Sequence, residues 1–273
     1  MNPQEVALWC ALPLAIGISI DALQMIATRG QLAEGGLFGY RVLATGRPML
    51  VDPRLAPVFA GIFRYPAVLG LAAVQLGAAS LLLAAATLRA PELVVPAGIA
   101  AVVILTSRTL LNLRNQLGLD GSDQMSLVVC VGVAVALLVP DRGAQAVALG
   151  YVALQLLLSY SVAGIAKAVS PAWRSGSAMP NIMSTVGFGL PPLGAFLHRH
   201  PRLALAACWS VIVLECAALP AILLGTPAAL AIIGIGLCFH LSVAVLMGLN
   251  GFLWSFAAAY PALLLLAHAV ESV

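Results

Sequence analysis

Six ionisable residues stand in stretches that are otherwise almost wholly apolar: Asp21, Arg108, Asp123, Lys167, Glu215 and His240. Hydrocarbon excludes charge, so an ionisable group at such a position marks a functional site or an internal partner by default. Lys167 is the only lysine in the chain, and Tyr160, Gly164 and Lys167 share one helical face at i, i+4 and i+7. A partly desolvated amine gives up its proton more readily and can serve as a base near neutral pH. Asp21 carries Gly17 and Gln24 on its own face, and Arg108 is followed by Asn112 and Asn115 at i+4 and i+7. Asp120-Gly-Ser-Asp123-Gln124 opens the next run, while Glu215 and His240 lie in the middle of theirs. Each has a plainer role: a lysine near a helix end snorkels to the interface, Asp21 or Glu215 pairs with Arg108 as structural glue, and His240 bonds a neighbouring helix. Spacing alone establishes a polar interior without saying what it does.

The elements that must hold these groups follow from composition. Of 273 residues, 62% are hydrophobic and 8% charged, far too few charges to clothe a water-facing surface. With lipid as the main solvent, only helices and closed barrels satisfy the backbone. Apolar runs of roughly twenty residues indicate helices rather than the short alternating strands of a barrel. The expected fold class is all-α, a polytopic transmembrane bundle of about eight spans forming a single domain over 1–273. The spans are expected at 5–27, 65–88, 91–113, 121–140, 143–169, 202–224, 226–247 and 250–270. Gly, Pro or charge punctuates the junctions, at Arg89-Ala-Pro91, Gly118 to Gly121, Pro140-Asp-Arg-Gly143, Pro201-Arg202, Gly225-Thr-Pro227 and Asn250-Gly251. Two connections are longer. Residues 28–64 form an arginine-bearing amphipathic stretch suited to the interface, and residues 170–201, broken by glycines and prolines, suit a re-entrant or interfacial segment.

The connections after the first, third and fifth spans hold nine arginines, against two (Arg89 and Arg142) in the others. That asymmetry places the arginine-rich face in the cytoplasm and both termini outside. The run from Val6 to Ala27 lacks a basic start and is expected to stay as a first helix rather than be cleaved. A net charge of +3 without clustering argues against nucleic acid as a partner. Cys10, Cys130, Cys208, Cys216 and Cys238 form no Cys-x-x-Cys pair, so buried hydrophobes are expected rather than a disulfide framework. No metal-ligand cluster is visible, since His198 and His200 flank Arg199 in a segment expected to be solvated.

The stretch Tyr160-Ser-Val-Ala-Gly-Ile-Ala-Lys167-Ala-Val-Ser-Pro-Ala-Trp173-Arg-Ser-Gly176 resembles the signature of the vitamin K-dependent γ-carboxylase-like family. Its bacterial members are the horizontally transferred transmembrane (HTTM) proteins. Gly35-Gly-Leu-Phe38, Phe239-His240 and Gly248-Leu-Asn-Gly-Phe252 add weaker matches in order along the chain. The resemblance implies a reduced quinone-type cofactor, vitamin K-like hydroquinone, with Lys167 as the base that deprotonates it. It also implies a peptide or small substrate and a bacterial cytoplasmic (inner) membrane. One family feature is replaced: where the carboxylase has a histidine at the start of the fourth span, this chain offers Asp123-Gln124-Met125-Ser126. The carboxylase also carries a large soluble domain that captures its substrate's propeptide, which is not expected here, and with both departures full glutamate carboxylation is not expected either.

Two readings from different classes result. In one, the chain is a quinol-linked membrane oxidoreductase or peptide-modifying enzyme with Lys167 and His240 catalytic. Arg108, Asn112, Asn115, Asp123, Gln124, Tyr160 and Trp173 then bind substrate or cofactor in one pocket. In the other, it is a non-catalytic membrane factor for peptide maturation, export or immunity that keeps the fold. A transporter ranks third, because no inverted repeat or paired broken helices appear.

Overall fold

A computed structural model describes residues 1–115 and 119–272. Among these, all regular structure is helical. The fourteen α-helices are α1 (Pro3–Ala27), α2 (Tyr40–Ala44), α3 (Pro48–Val51), α4 (Ala56–Phe63), α5 (Val68–Leu88), α6 (Val94–Arg114) and α7 (Gly121–Leu138). They continue as α8 (Arg142–Val169), α9 (Pro171–Ser175), α10 (Ala178–Met183), α11 (Pro191–Arg199), α12 (Pro201–Ala221), α13 (Thr226–Met247) and α14 (Asn250–Glu271). Eight of them, α1, α5, α6, α7, α8, α12, α13 and α14, are long and apolar enough to cross a membrane. The expected all-α multi-pass architecture is what the chain adopts. Gly118, expected to punctuate one junction, lies outside the described residues.

The span limits have local causes. The fourth span was expected to reach Pro140; α7 stops at Leu138, because the residue before a proline is pushed out of the helical region. Its start is fixed by a capping box, in which the Asp120 carboxylate accepts from Ser122 N and the Asp123 carboxylate accepts from Asp120 N. Asp141 caps α8 through Ala144 N. The orphan donors at the start of α13 are met from elsewhere: Thr226 N and Oγ1 both donate to the Glu271 carboxylate, which ties that turn to the far end of α14.

Helices α1, α7, α8 and α14 pack on one another as the inner group. The core they share is rich in alanine, for example Ala7, Ala11 and Ala15 on α1 and Ala258, Ala259 and Ala262 on α14. Lipid offers no hydrophobic drive for helix association, so close backbone approach through small residues does that work. Helices α5 and α6 flank this group on one side, against α1 and α7. Helices α12 and α13 flank it on the other, against α8 and α14 respectively, and make few contacts with each other.

The two long connections are built from short helices. In 28–64 a 3₁₀ turn (Arg29–Leu32) precedes α2, α3 and α4, with Leu37, Val42, Val51 and Val58 exposed beside exposed Arg29, Arg41 and Arg54. That mixture suits a segment lying along a bilayer surface. Arg114 is not a loop charge: it is 0% exposed at the end of α6. Its guanidinium donates to Phe63 O (3.0 Å), Phe38 O (2.7 Å) and Asn115 Oδ1 (2.8 Å), pinning the interfacial segment to the bundle. Residues 170–201 hold α9, α10 and α11, with His198 exposed on α11 and His200 exposed just after it. Cys10, Cys130 and Cys208 are buried as expected, but Cys216 is half-buried and Cys238 is exposed on the outer face of α13.

Orientation is testable by cysteine labelling in sealed vesicles on a cysteine-free background. Gly35→Cys and Ser175→Cys should react with an impermeant maleimide only from the cytoplasmic face, and Arg142→Cys only from the opposite one. The reverse pattern would invert the arginine-based assignment.

Candidate functional site

Lys167 lies in the last turn of α8 and reaches across to α12, where Nζ meets Glu215 at 2.7 Å (Oε2) and 2.9 Å (Oε1). The lysine side chain is 21% exposed and the glutamate 5%. The Trp173 ring of α9 sits beside the ammonium, 5.3 Å from Nζ to the ring centroid, adding a cation–π contact. This approach of α8 to α12 needs Gly164. A Cβ there would stand 2.8 Å from Cys216 N and 2.9 Å from the Glu215 carbonyl carbon, so any side chain would drive the two backbones apart.

Two turns before Lys167 on the same face, Tyr160 Oη lies 3.0 Å from His240 Nε2 of α13 and 2.7 Å from Tyr260 Oη of α14. Gly236, one turn before His240, leaves the space these hydroxyls occupy; a Cβ there would collide with Tyr260 Oη and come within 2.9 Å of Tyr160 Oη. The His240 ring packs 4.3 Å from Phe256 and parallel to Phe252 at 6.2 Å. His240 Nδ1 is buried and has no hydrogen-bond partner.

These groups line one side of a cavity of about 610 Å³ enclosed by α7, α8, α12, α13 and α14. Met179, Ile182 and Met183 of α10 close it toward the arginine-rich end, and most of its wall is apolar. Ser210 on α12 and Ser242 on α13 line the cavity and are also exposed. A volume in the range of small-molecule sites, an apolar wall and a few convergent polar groups are the usual make-up of a ligand pocket.

Of the expected site residues, Lys167, His240, Gln124, Tyr160 and Trp173 meet around this cavity. Arg108, Asn112, Asn115 and Asp123 do not. They line a separate cavity of about 390 Å³ on the other flank, between α1, α5, α6 and α7. The expected single pocket is therefore two, because α6 packs beside α5 and α7 while α8 turns its lysine face to α12. Each nitrogen of the Arg108 guanidinium has a partner there, Nη1 donating to Asp21 Oδ2 (2.5 Å), Nη2 to Asp123 Oδ1 (3.1 Å) and Nε to Ser126 Oγ (3.2 Å). The Asp21–Arg108 pairing is present; the alternative Glu215–Arg108 pairing is not, since Glu215 serves Lys167.

Three contributors escaped sequence reasoning. Tyr260 and Phe256 show only as aromatic residues in an apolar span, and Gln75 only as a lone amide in α5. Gln75 was the legible signal, because hydrocarbon penalises an unpaired amide. No known family, curated protein or solved structure matches the chain.

Removing one partner of a buried ion pair strands the other charge and costs about 3–5 kcal/mol, whereas replacing both with apolar groups is often neutral. Lys167→Met and Glu215→Leu alone should each lower the melting temperature of the purified protein in detergent. The double variant should recover most of the loss. Additive losses in the double variant would show that the two side chains act independently.

Proposed function

We propose that the chain is a membrane-embedded, quinol-binding oxidoreductase of the kind its sequence resemblance implies, and that its reactive centre is the Lys167–Glu215 pair. The observation that carries this reading is an ion pair set in the wall of a large, mostly apolar cavity, with the ammonium facing Trp173. An aromatic ring bearing hydroxyls fits such a wall. Phe252 and Phe256 offer ring surface, and Lys167, Tyr160 and His240 offer polar contacts at the edge. A bound hydroquinone supplies two phenolic protons and two electrons, which dioxygen or a second substrate must accept.

The pair divides the work expected of a lone lysine base. Nζ donates to both Glu215 oxygens, and the carboxylate is the end of the pair able to take up a proton. A proton arriving at Nζ as another leaves for Glu215 keeps Lys167 charged, so the ammonium stabilises the anion left in the cavity. The apolar wall excludes water and strengthens that attraction. Tyr160, fixed between His240 and Tyr260, presents a second positioned hydroxyl. A peptide or small molecule as second substrate and a bacterial cytoplasmic membrane complete the proposal.

One observation favours the non-catalytic reading: the same pair joins α8 to α12 and is able to act as a structural staple. Purified wild type, Glu215→Gln and Lys167→Ala separate the two. Co-purifying quinones are identified by mass spectrometry, and oxidation of added quinol under dioxygen is followed alongside melting. The enzyme reading expects a bound quinone in wild type and a loss of about 10²-fold or more in each variant that still melts cooperatively. Folded variants that oxidise quinol as fast as wild type, or no quinone bound or turned over by wild type, would leave the staple.

A further inference from the structure

The 390 Å³ cavity on the α5–α6 flank has a polar inventory unlike the first. Each guanidinium nitrogen of Arg108 has one acceptor, in Asp21, Asp123 or Ser126. The second oxygen of Asp123 accepts from Asp120 N, but no donor among the described residues reaches Asp21 Oδ1. Asp21, Arg108 and Asp123 together carry one net negative charge. Asn115 gives its Oδ1 to Arg114, which leaves its amide nitrogen as the free end. Opposite them on α5, Gln75 is 1% exposed and lines the cavity, and its Nε2 is shut away with no hydrogen-bond partner among the described residues. That unpaired nitrogen is a cost to the fold, and the side-chain oxygen is the end of the amide left to a guest.

From these groups we infer that this cavity binds a primary ammonium group carrying a hydrogen-bond acceptor on a neighbouring atom, the ammonium at Asp21 and the Gln75 side-chain oxygen and the acceptor at the Asn115 amide nitrogen. The net negative charge of the carboxylate–guanidinium cluster favours a monocation over a neutral or anionic guest. The free Asn115 amide nitrogen asks for an acceptor, which a bare inorganic cation lacks. Two sources share this chemistry: the N-terminus of a peptide, with its first carbonyl, and an ethanolamine headgroup, with its phosphate. The site lies apart from the Lys167–Glu215 cavity and does not depend on what that cavity does.

The test is calorimetric titration of the full-length protein in nanodiscs made without ethanolamine lipids. Glycinamide stands for a peptide N-terminus, and O-phosphorylethanolamine stands for the headgroup. N-acetylglycinamide, which keeps the acceptor and loses the charge, and sodium chloride are the controls. At least one of the two amines should bind, more than 10-fold tighter than N-acetylglycinamide, and which one binds identifies the source. Gln75→Leu should weaken that binding by 10-fold or more while melting at or above the wild-type temperature, because it removes an orphaned amide. Asp21→Asn should abolish binding. Absence of binding by both amines, competition by sodium ion at equal concentration, or a Gln75→Leu protein that binds like wild type would each overturn the assignment. So would a Gln75→Leu protein that melts below wild type, since Gln75 would then have a structural partner.

Discussion

Inside a bilayer a charge has no water to turn to, and a buried ion needs an opposite charge or a set of acceptors from elsewhere in the fold. Here an opposite charge on another helix answers that need twice. Arg108 joins α6 to α1 and α7 through Asp21 and Asp123, and Lys167 joins α8 to α12 through Glu215. Both clusters lie toward the arginine-rich end of the bundle, since α6 and α8 end there and α7 begins there. Each pairing needs two helices at a fixed depth and rotation, which apolar packing in lipid does not impose by itself. The ion pairs therefore set the register in which the alanine-lined faces of the inner helices meet.

The two flanks follow from that arrangement. With α1, α7, α8 and α14 packed through small residues, there is little room between them, and the larger spaces open where outer helices lean against the group. On the α12–α13 side the wall is aromatic and aliphatic, with Phe239, Phe252 and Phe256 around His240. On the α5–α6 side it is lined with carboxylates, a guanidinium and amides. Arg114 and Arg47 complete the second flank by holding the interfacial segment down, through the backbone carbonyls of Phe38, Phe63 and Asn112.

The spans were legible because long apolar runs broken by Pro, Gly and charge leave few alternatives, and α13 begins and ends where the pattern places it. What spacing did not show was partnership. Tyr160, Gly164 and Lys167 could be put on one face of one helix, but the helix opposite that face depends on packing among eight similar apolar cylinders. Glu215 was visible as a mid-span carboxylate, but the partner weighed for it was Arg108 and not Lys167. Gly164 and Gly236 read as ordinary small residues, although one admits the α12 backbone and the other admits two tyrosine hydroxyls. Arg114 was counted among the loop arginines, yet its burial against three oxygen acceptors is a tertiary fact with no local signal.

The two ion clusters also differ in a way that bears on what each is for. A buried ion pair is a poor device for stability alone, because apolar side chains of the same size hold helices together as well or better. Arg108 is enclosed by three acceptors and faces a space where other groups, Gln75 and Asp21 Oδ1, remain unmet. Lys167 and Glu215 meet only each other, with the tryptophan face alongside and an apolar space in front. A carboxylate and an ammonium are groups that exchange protons in the function proposed for that space, whereas a guanidinium stays charged throughout. Arg108 is suited to fixing the geometry of its neighbours, and the lysine–glutamate pair is where the proposed chemistry is placed.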